Sequence, residues 1–271
     1  MNKFVFEDLN INYQYEEKSQ QNPSENLILF LHGFGDSLKT SYSFSKEKNK
    51  NFRLAAFDFI SCGASDYKQN LKLETYGKLT EFFINNILKN ENNIYIVSHS
   101  LGAFSALYVN KNSKVKYTFL ASPFSPWNKE NLEHKKFLIN HLLPENNEDK
   151  KISYFDLFYN PSNLAIVNSA KIFDKLNSNF YTKRKTAFEK MVNDQIVNFD
   201  FLSNDLYALY KDAKNYCAIS GEDDKYVKIE SLEELASKLN FKLYKLSKTG
   251  HAIFFDSFQK VLEIILSQIK E

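Results

Sequence analysis

The chain has 271 residues, a length that suits one α/β domain with an inserted lid or two small domains, and its 43% hydrophobic and 25% charged content is ordinary for a folded globular protein. Its formal net charge of +2 gives no case for nucleic acid or an acidic membrane surface as a partner. No apolar run approaches the roughly 20 residues of a membrane span. The start, Met1-Asn2-Lys3-Phe4-Val5-Phe6-Glu7-Asp8, reaches charge too early for a signal peptide. A cytoplasmic protein without stable membrane insertion is therefore expected.

In chain order, the segment to Tyr15 reads as one or two edge strands, and 16–26 as a polar loop. Leu27–Leu31 and Phe52–Phe59 read as short buried strands. Leu73–Lys89 has helical spacing, with Leu79, Phe82, Phe83, Ile87 and Leu88 on its apolar face. Ile94–Val97 is a third core strand, Leu101–Val109 a small-residue helix and Val115–Leu120 a fourth strand. The rhythm then stops. Pro123, Pro126, Pro144 and Pro161 punctuate short helices and polar loops from Phe124 to Phe199. It resumes with a helix at Phe201–Tyr210, a strand at Tyr216–Ser220, a helix at Ile229–Leu239, a strand at Phe241–Leu246 and a last helix at Ser257–Ile269. Asp256 with Gln259 fits a capping box for that last helix. Such alternation predicts a mainly parallel central sheet flanked by helices. The expected division is a core of residues 1–123 and 200–271, with 124–199 an inserted helical cap.

Lysine is abundant, while arginine appears only at Arg53 and Arg184. We read this as a compositional bias of the host, so the lysines do not by themselves mark a binding surface. Cys62 and Cys217 are far apart and are expected to be a reduced pair.

There are only seven glycines, and six cluster at turns that follow strands. Glycine permits positive φ and close backbone approach, and ligand chemistry in open α/β sheets lies at the carboxyl ends of strands. Ser98-His99-Ser100-Leu101-Gly102 joins a strand to a helix in the pattern of a nucleophile elbow, with Ser98 and Gly102 in the slots that must be small. Ser100 is the expected nucleophile and Ser98 the competitor. The Leu101 N–H, at a helix start, is free to stabilise an oxyanion. A serine nucleophile needs a base, and the base an orienting acid. Of the five histidines, His32 and His99 belong to other turns. His134 and His141, on a lysine-rich stretch, are expected at the surface, with no spacing that suggests a metal site. His251, after Gly250, is left as the base. Gly221-Glu222-Asp223-Asp224 offers the acid; the pattern Gly-x-x-Asp selects Asp224, with Asp223 as the alternative. The order Ser100, Asp224, His251 is that of α/β-hydrolases.

The stretch His32-Gly33-Phe34-Gly35 after the first core strand completes a resemblance to α/β-hydrolases of the small bacterial esterase/lipase type. In that family the residue after the His-Gly pair gives its backbone N–H to the oxyanion, which implies Phe34 beside Leu101. The stretch Asp58-Phe59-Ile60-Ser61-Cys62-Gly63-Ala64-Ser65-Asp66 is similar to the family's Asp-x-Pro-Gly-His-Gly-x-Ser segment, with three of its residues replaced. The resemblance covers Leu27–Ser122 and Phe201–Ile269 and implies a serine hydrolase acting on a small-molecule carboxylic ester without metal or organic cofactor. Fold does not determine the bond cleaved. Aminopeptidase, thioesterase, haloperoxidase and C–C hydrolase chemistries stay open, as does a non-catalytic ligand receptor. Phe124 and Trp127, at the entry to the cap, are the expected pocket residues.

Overall fold

The computed structural model describes residues 2–48, 50–126 and 132–269. Eight strands form one sheet: β1 (Asn2–Phe6), β2 (Leu9–Tyr15), β3 (Asn26–Leu31), β4 (Arg53–Phe57), β5 (Asn93–His99), β6 (Val115–Ala121), β7 (Tyr216–Gly221) and β8 (Lys242–Leu246). Their spatial order is β1-β2-β4-β3-β5-β6-β7-β8. β1 and β2 pair antiparallel with each other, and β2 is antiparallel to β4; all other pairs are parallel. The sequence-predicted mainly parallel sheet is thus present, with a hairpin added at one edge.

β3 shows why the central strands read as unbroken apolar runs. Leu27, Leu29 and Leu31 pack into one core cluster, and Ile28 and Phe30 into a second on the opposite face. A parallel strand covered on both faces has no solvent side to mark with polar residues. From β3 the chain first goes to β4 on one side and then returns to β5 on the other. This reversal opens a crevice at the carboxyl ends of β3 and β5, where open α/β sheets bind ligands.

The helix predicted over Leu73–Lys89 is α-helical over Leu73–Phe82 and continues through a wider turn at Phe83–Ile87, closed by the Leu88 N–H on the Phe83 carbonyl at 3.0 Å. Between β6 and β7 the described chain is helical, with helices at Leu132–Leu142, Asn147–Phe155, Leu164–Ala170 and Ser178–Met191. The expected capping box of the last helix does not form. That helix begins at Phe258, and Ser257 at its start makes no side-chain cap bond. The Asp256 carboxylate turns away from it and accepts from the Gly250 and Tyr159 N–H groups at 2.8 and 2.9 Å.

Candidate active site

The elbow is built where β5 ends. The Ser100 N–H donates to the Ala121 carbonyl of neighbouring β6 at 2.9 Å, and the backbone at Ser100 takes a φ of 50°. A non-glycine residue held there carries strain of roughly 1–3 kcal/mol. The turn leaves no room behind it. A methyl group on Gly102 would sit 2.5 Å from the Leu31 carbonyl oxygen and 2.8 Å from that of His32. The Leu101 and Gly102 backbone therefore packs directly on the end of β3. Ser98 is fully buried in β5, its Oγ 3.4 Å from the Phe119 carbonyl.

His251 lies on the loop that follows β8. Its Nε2 is 2.8 Å from Ser100 Oγ, and its Nδ1 is 2.8 Å from Asp224 Oδ2. A carboxylate only accepts, so Nδ1 carries the proton and Nε2 presents a lone pair to the serine hydroxyl. Asp224 is fixed independently: its Oδ1 accepts from the Tyr226 and Val227 N–H groups at 2.8 and 2.9 Å. Asp223 and Glu222 are exposed, their backbone N–H groups bonded to Thr249 and Leu246. The structure thus brings together Ser100, His251 and Asp224 and leaves Asp223 on the surface.

Two neighbours whose roles the sequence reading left unassigned, His99 and Tyr226, pack on His251, and a third, His32, ties together the adjoining loops. The His99 ring donates from Nε2 to the His251 carbonyl at 2.9 Å, so its Nδ1 faces Gly33 bare, buried and without a partner among the described residues. Burial, reinforced by the nearby His251, pushes the His99 pKa down to about 4. The Tyr226 ring stacks on the His251 imidazole with centroids 4.8 Å apart, and its hydroxyl donates to the Ser153 carbonyl at 2.6 Å. His32 bridges two loops. Its Nδ1–H donates to the Gly33 carbonyl at 2.8 Å, while Nε2 accepts the Phe59 N–H at 2.9 Å. That geometry requires a neutral ring, which burial favours by lowering the pKa.

The loop after β3 lies against the elbow. A methyl on Gly33 would come within 3.3 Å of Ser100 Cβ and 3.0 Å of His99 Nδ1. Among the described residues, neither the Phe34 N–H nor the Leu101 N–H donates to a protein acceptor. A hydroxyl bonded to an oriented imidazole, with unengaged backbone N–H groups on the adjoining loop and turn, is an arrangement whose chemistry suits acyl transfer.

In front of Ser100 is a cavity of about 640 Å³, within the usual range for small-molecule sites. The 132–191 segment supplies much of its wall, including Tyr154, Leu157, Phe158, Phe173 and Phe180. Two expectations change here. Phe124 is not part of the described wall; it is buried in the core, and its carbonyl accepts the Tyr210 hydroxyl at 2.7 Å. Trp127 lies outside the described residues. His134 and His141, expected at the surface, are both partly buried. His141 lines the cavity and its Nε2 is 2.8 Å from Asp156 Oδ2. Helix spacing alone could not show that this polar face turns inward, because what covers it is the core on which it folds.

Comparison with known proteins identifies the family of the fold. The family profile of the alpha/beta hydrolase fold matches residues 26–258, and the chain belongs to that family. Over 260 residues it is 26% identical to a Mycoplasma genitalium protein named "Putative esterase/lipase 2", covering 90% of this chain and 91% of that relative. Among solved structures, a variant of the meta-cleavage product hydrolase CumD superposes with a TM-score of 0.77 at 15% identity, covering 98% of this chain and 97% of the other. A structure from work on carboxylesterases of the thaumarchaeon Nitrososphaera gargenis superposes with a TM-score of 0.69 at 16% identity, covering 99% and 100%. Among the described residues no helix is long and apolar enough to cross a membrane.

Proposed function

We propose that the protein is a serine hydrolase that cleaves a carboxylic ester through an acyl-enzyme. The observation that carries the reading is the continuous chain from Asp224 Oδ2 through the His251 ring to Ser100 Oγ, with both links at 2.8 Å. In this mechanism Ser100 Oγ attacks the ester carbonyl as His251 Nε2 takes its proton. The tetrahedral oxyanion is held by the Phe34 and Leu101 N–H groups, each donor worth about 3–4 kcal/mol in the transition state. His251 returns the proton to the leaving alcohol, and Asp224 keeps the imidazole oriented and steadies its positive form. Water, activated by the same histidine, then releases the acid. Residues 124–199 act as a cap that shapes the acyl or alcohol pocket and keeps bulk water out.

The test is covalent labelling by a fluorophosphonate, read by mass spectrometry beside turnover of p-nitrophenyl esters. Ser100→Ala is expected to abolish both, and Ser98→Ala to leave the label in place. An adduct on Ser98 would overturn the assignment. A panel of esters, thioesters and anilides on the same preparation reads the bond preference.

A further inference from the structure

The cavity beside Ser100 holds more positive charge than its protein neighbours balance. Its described wall includes three cations, Lys39, Lys150 and Arg184, and one carboxylate, Asp36, whose Oδ2 already accepts from Thr40 Oγ1 at 2.6 Å. Arg184 is partly buried. Its Nε donates to the Leu142 carbonyl at 2.8 Å, and its guanidinium lies 4.9 Å from the Phe34 ring centroid. The fork is pressed against the loop after β3: a methyl on Gly35 would lie 2.3 Å from Nη1 and 2.8 Å from Nη2. Lys150 Nζ sits 5.3 Å from the Phe173 ring centroid. Burial, added to by the charge of Arg184, pushes the Lys150 ammonium down to about 7. Among the described residues, neither Arg184 nor Lys150 is in an ion pair.

The other arginine shows what a filled fork looks like in this chain. Arg53 gives Nη1 and Nη2 to the two oxygens of Glu91 at 2.6 and 2.5 Å. In a protein that uses lysine for almost all its positive charge, both arginines stand where a planar fork is sheltered from bulk water. One has its carboxylate, and the other opens on a cavity. Two neighbouring cations in a sheltered wall repel each other, and Lys150 answers by binding its proton less tightly; an anion between them would let both stay charged.

We propose that the substrate is an ester bearing a second, anionic group, a carboxylate or a phosphate, held between Arg184 and Lys150. The proposal rests on the ester-hydrolase reading of Ser100 and narrows its substrate class. A planar fork takes a carboxylate or phosphate through two parallel hydrogen bonds, and in a sheltered pocket those bonds are stronger than in water. The anion also relieves the repulsion between the two cations. Gly33, which abuts Ser100, and Gly35, which abuts Arg184, are two residues apart, at most about 7 Å of chain. A short spacer between the reacting carbonyl and the anion fits that separation.

The experiment compares two substrates with the same five acyl carbons, neutral p-nitrophenyl valerate and the monoanionic p-nitrophenyl hemiester of glutaric acid. The readout is the ratio of their kcat/KM values. The wild type is expected to favour the hemiester by about tenfold or more, the worth of a charge-assisted pair. Arg184→Gln is expected to lower the ratio by about ten- to hundredfold, Arg184→Lys to restore part of it, and Lys150→Gln, which leaves the Phe34 contact intact, to lower it by about tenfold. A wild-type ratio at or below one, or a ratio unmoved in both Gln variants, overturns the proposal. Thermal-shift titration of Ser100→Ala with glutarate and, separately, glycerol 3-phosphate needs no turnover and tells the two anions apart. A rise in Tm with either anion, absent when Arg184→Gln is added, supports the site even if no ester is cleaved, and then the hydrolase reading alone fails. No rise with either anion overturns the site.

Discussion

At Asp224 the two carboxylate oxygens have separate tasks. Oδ1 is locked by the Tyr226 and Val227 N–H groups, and Oδ2 is left for His251. An amide placed there can present an N–H where the imidazole needs an acceptor, which favours the wrong tautomer. Asp224→Asn is therefore expected to cut kcat by about 10⁴ with little change in KM. Asp223→Asn, at an exposed position, is expected to stay within about threefold of wild type. Steady-state kinetics on a p-nitrophenyl ester decides between them, and reversed effects would move the acid to Asp223. The serine and histidine were legible because elbow and fold-wide order restrict both. Tyr226 was not, because nothing in its sequence neighbourhood says that a ring will lie flat on an imidazole 25 residues away.

The loop carrying His251 is held from both sides by element-level contacts. The Ala252 N–H donates to the Leu157 carbonyl at 2.7 Å, and Asp256 receives the Gly250 and Tyr159 N–H groups. One carboxylate thus ties the histidine loop to the chain after the Asn147–Phe155 helix. Asp256→Ala is expected to cost about 1.5–3 kcal/mol, the usual worth of hydrogen bonds to a charged group, and to lower kcat more than it raises KM by loosening His251. Denaturant unfolding and kinetics on the same preparation check both halves. If activity survives while stability falls, the carboxylate serves the fold alone. The capping-box pattern misled here for a physical reason: an acid before a helix is equally available to any nearby orphan N–H, and the ones it met belong to the histidine loop, at Gly250, and to the chain after the Asn147–Phe155 helix, at Tyr159.

Across the whole molecule, Arg53 at the start of β4 and Glu91 just before β5 form a buried pair at the amino ends of the parallel strands, and the Tyr15 hydroxyl donates to the same carboxylate. Burial alone would raise the Glu91 pKa, but the Arg53 and Tyr15 hydrogen bonds with the Arg53 charge bring it below its ordinary 4.5. A carboxyl depressed by folding stabilises the native state above its unfolded pKa, and that contribution is lost as pH falls through the folded value. Glu91→Gln leaves Arg53 buried and unpaired, so a loss of about 3–5 kcal/mol is expected at pH 7. The gap between variant and wild type should begin to narrow below pH 4.5 and close further as pH falls through the lower folded value, where the native carboxylate also becomes neutral. Chemical unfolding at pH 7 and pH 3 measures it, and a gap independent of pH would show that the pair's charge contributes nothing.

The strands, their parallel arrangement and the elbow at Ser100 were readable along the chain from local rules: apolar runs make covered strands, and small residues must stand where backbones touch. The family was readable only through the resemblance of its turn motifs to known ones. The hydrogen-bond register that joins Ser100, His251 and Asp224, the retreat of Phe124 into the core and the inward turn of His141, Lys150 and Arg184 were decided only by the tertiary structure. These depend on which surfaces meet. A lysine-rich helix with no strong apolar face carries no local signal of what will cover it, so its role appears only when the 132–191 segment and the sheet enclose the same cavity.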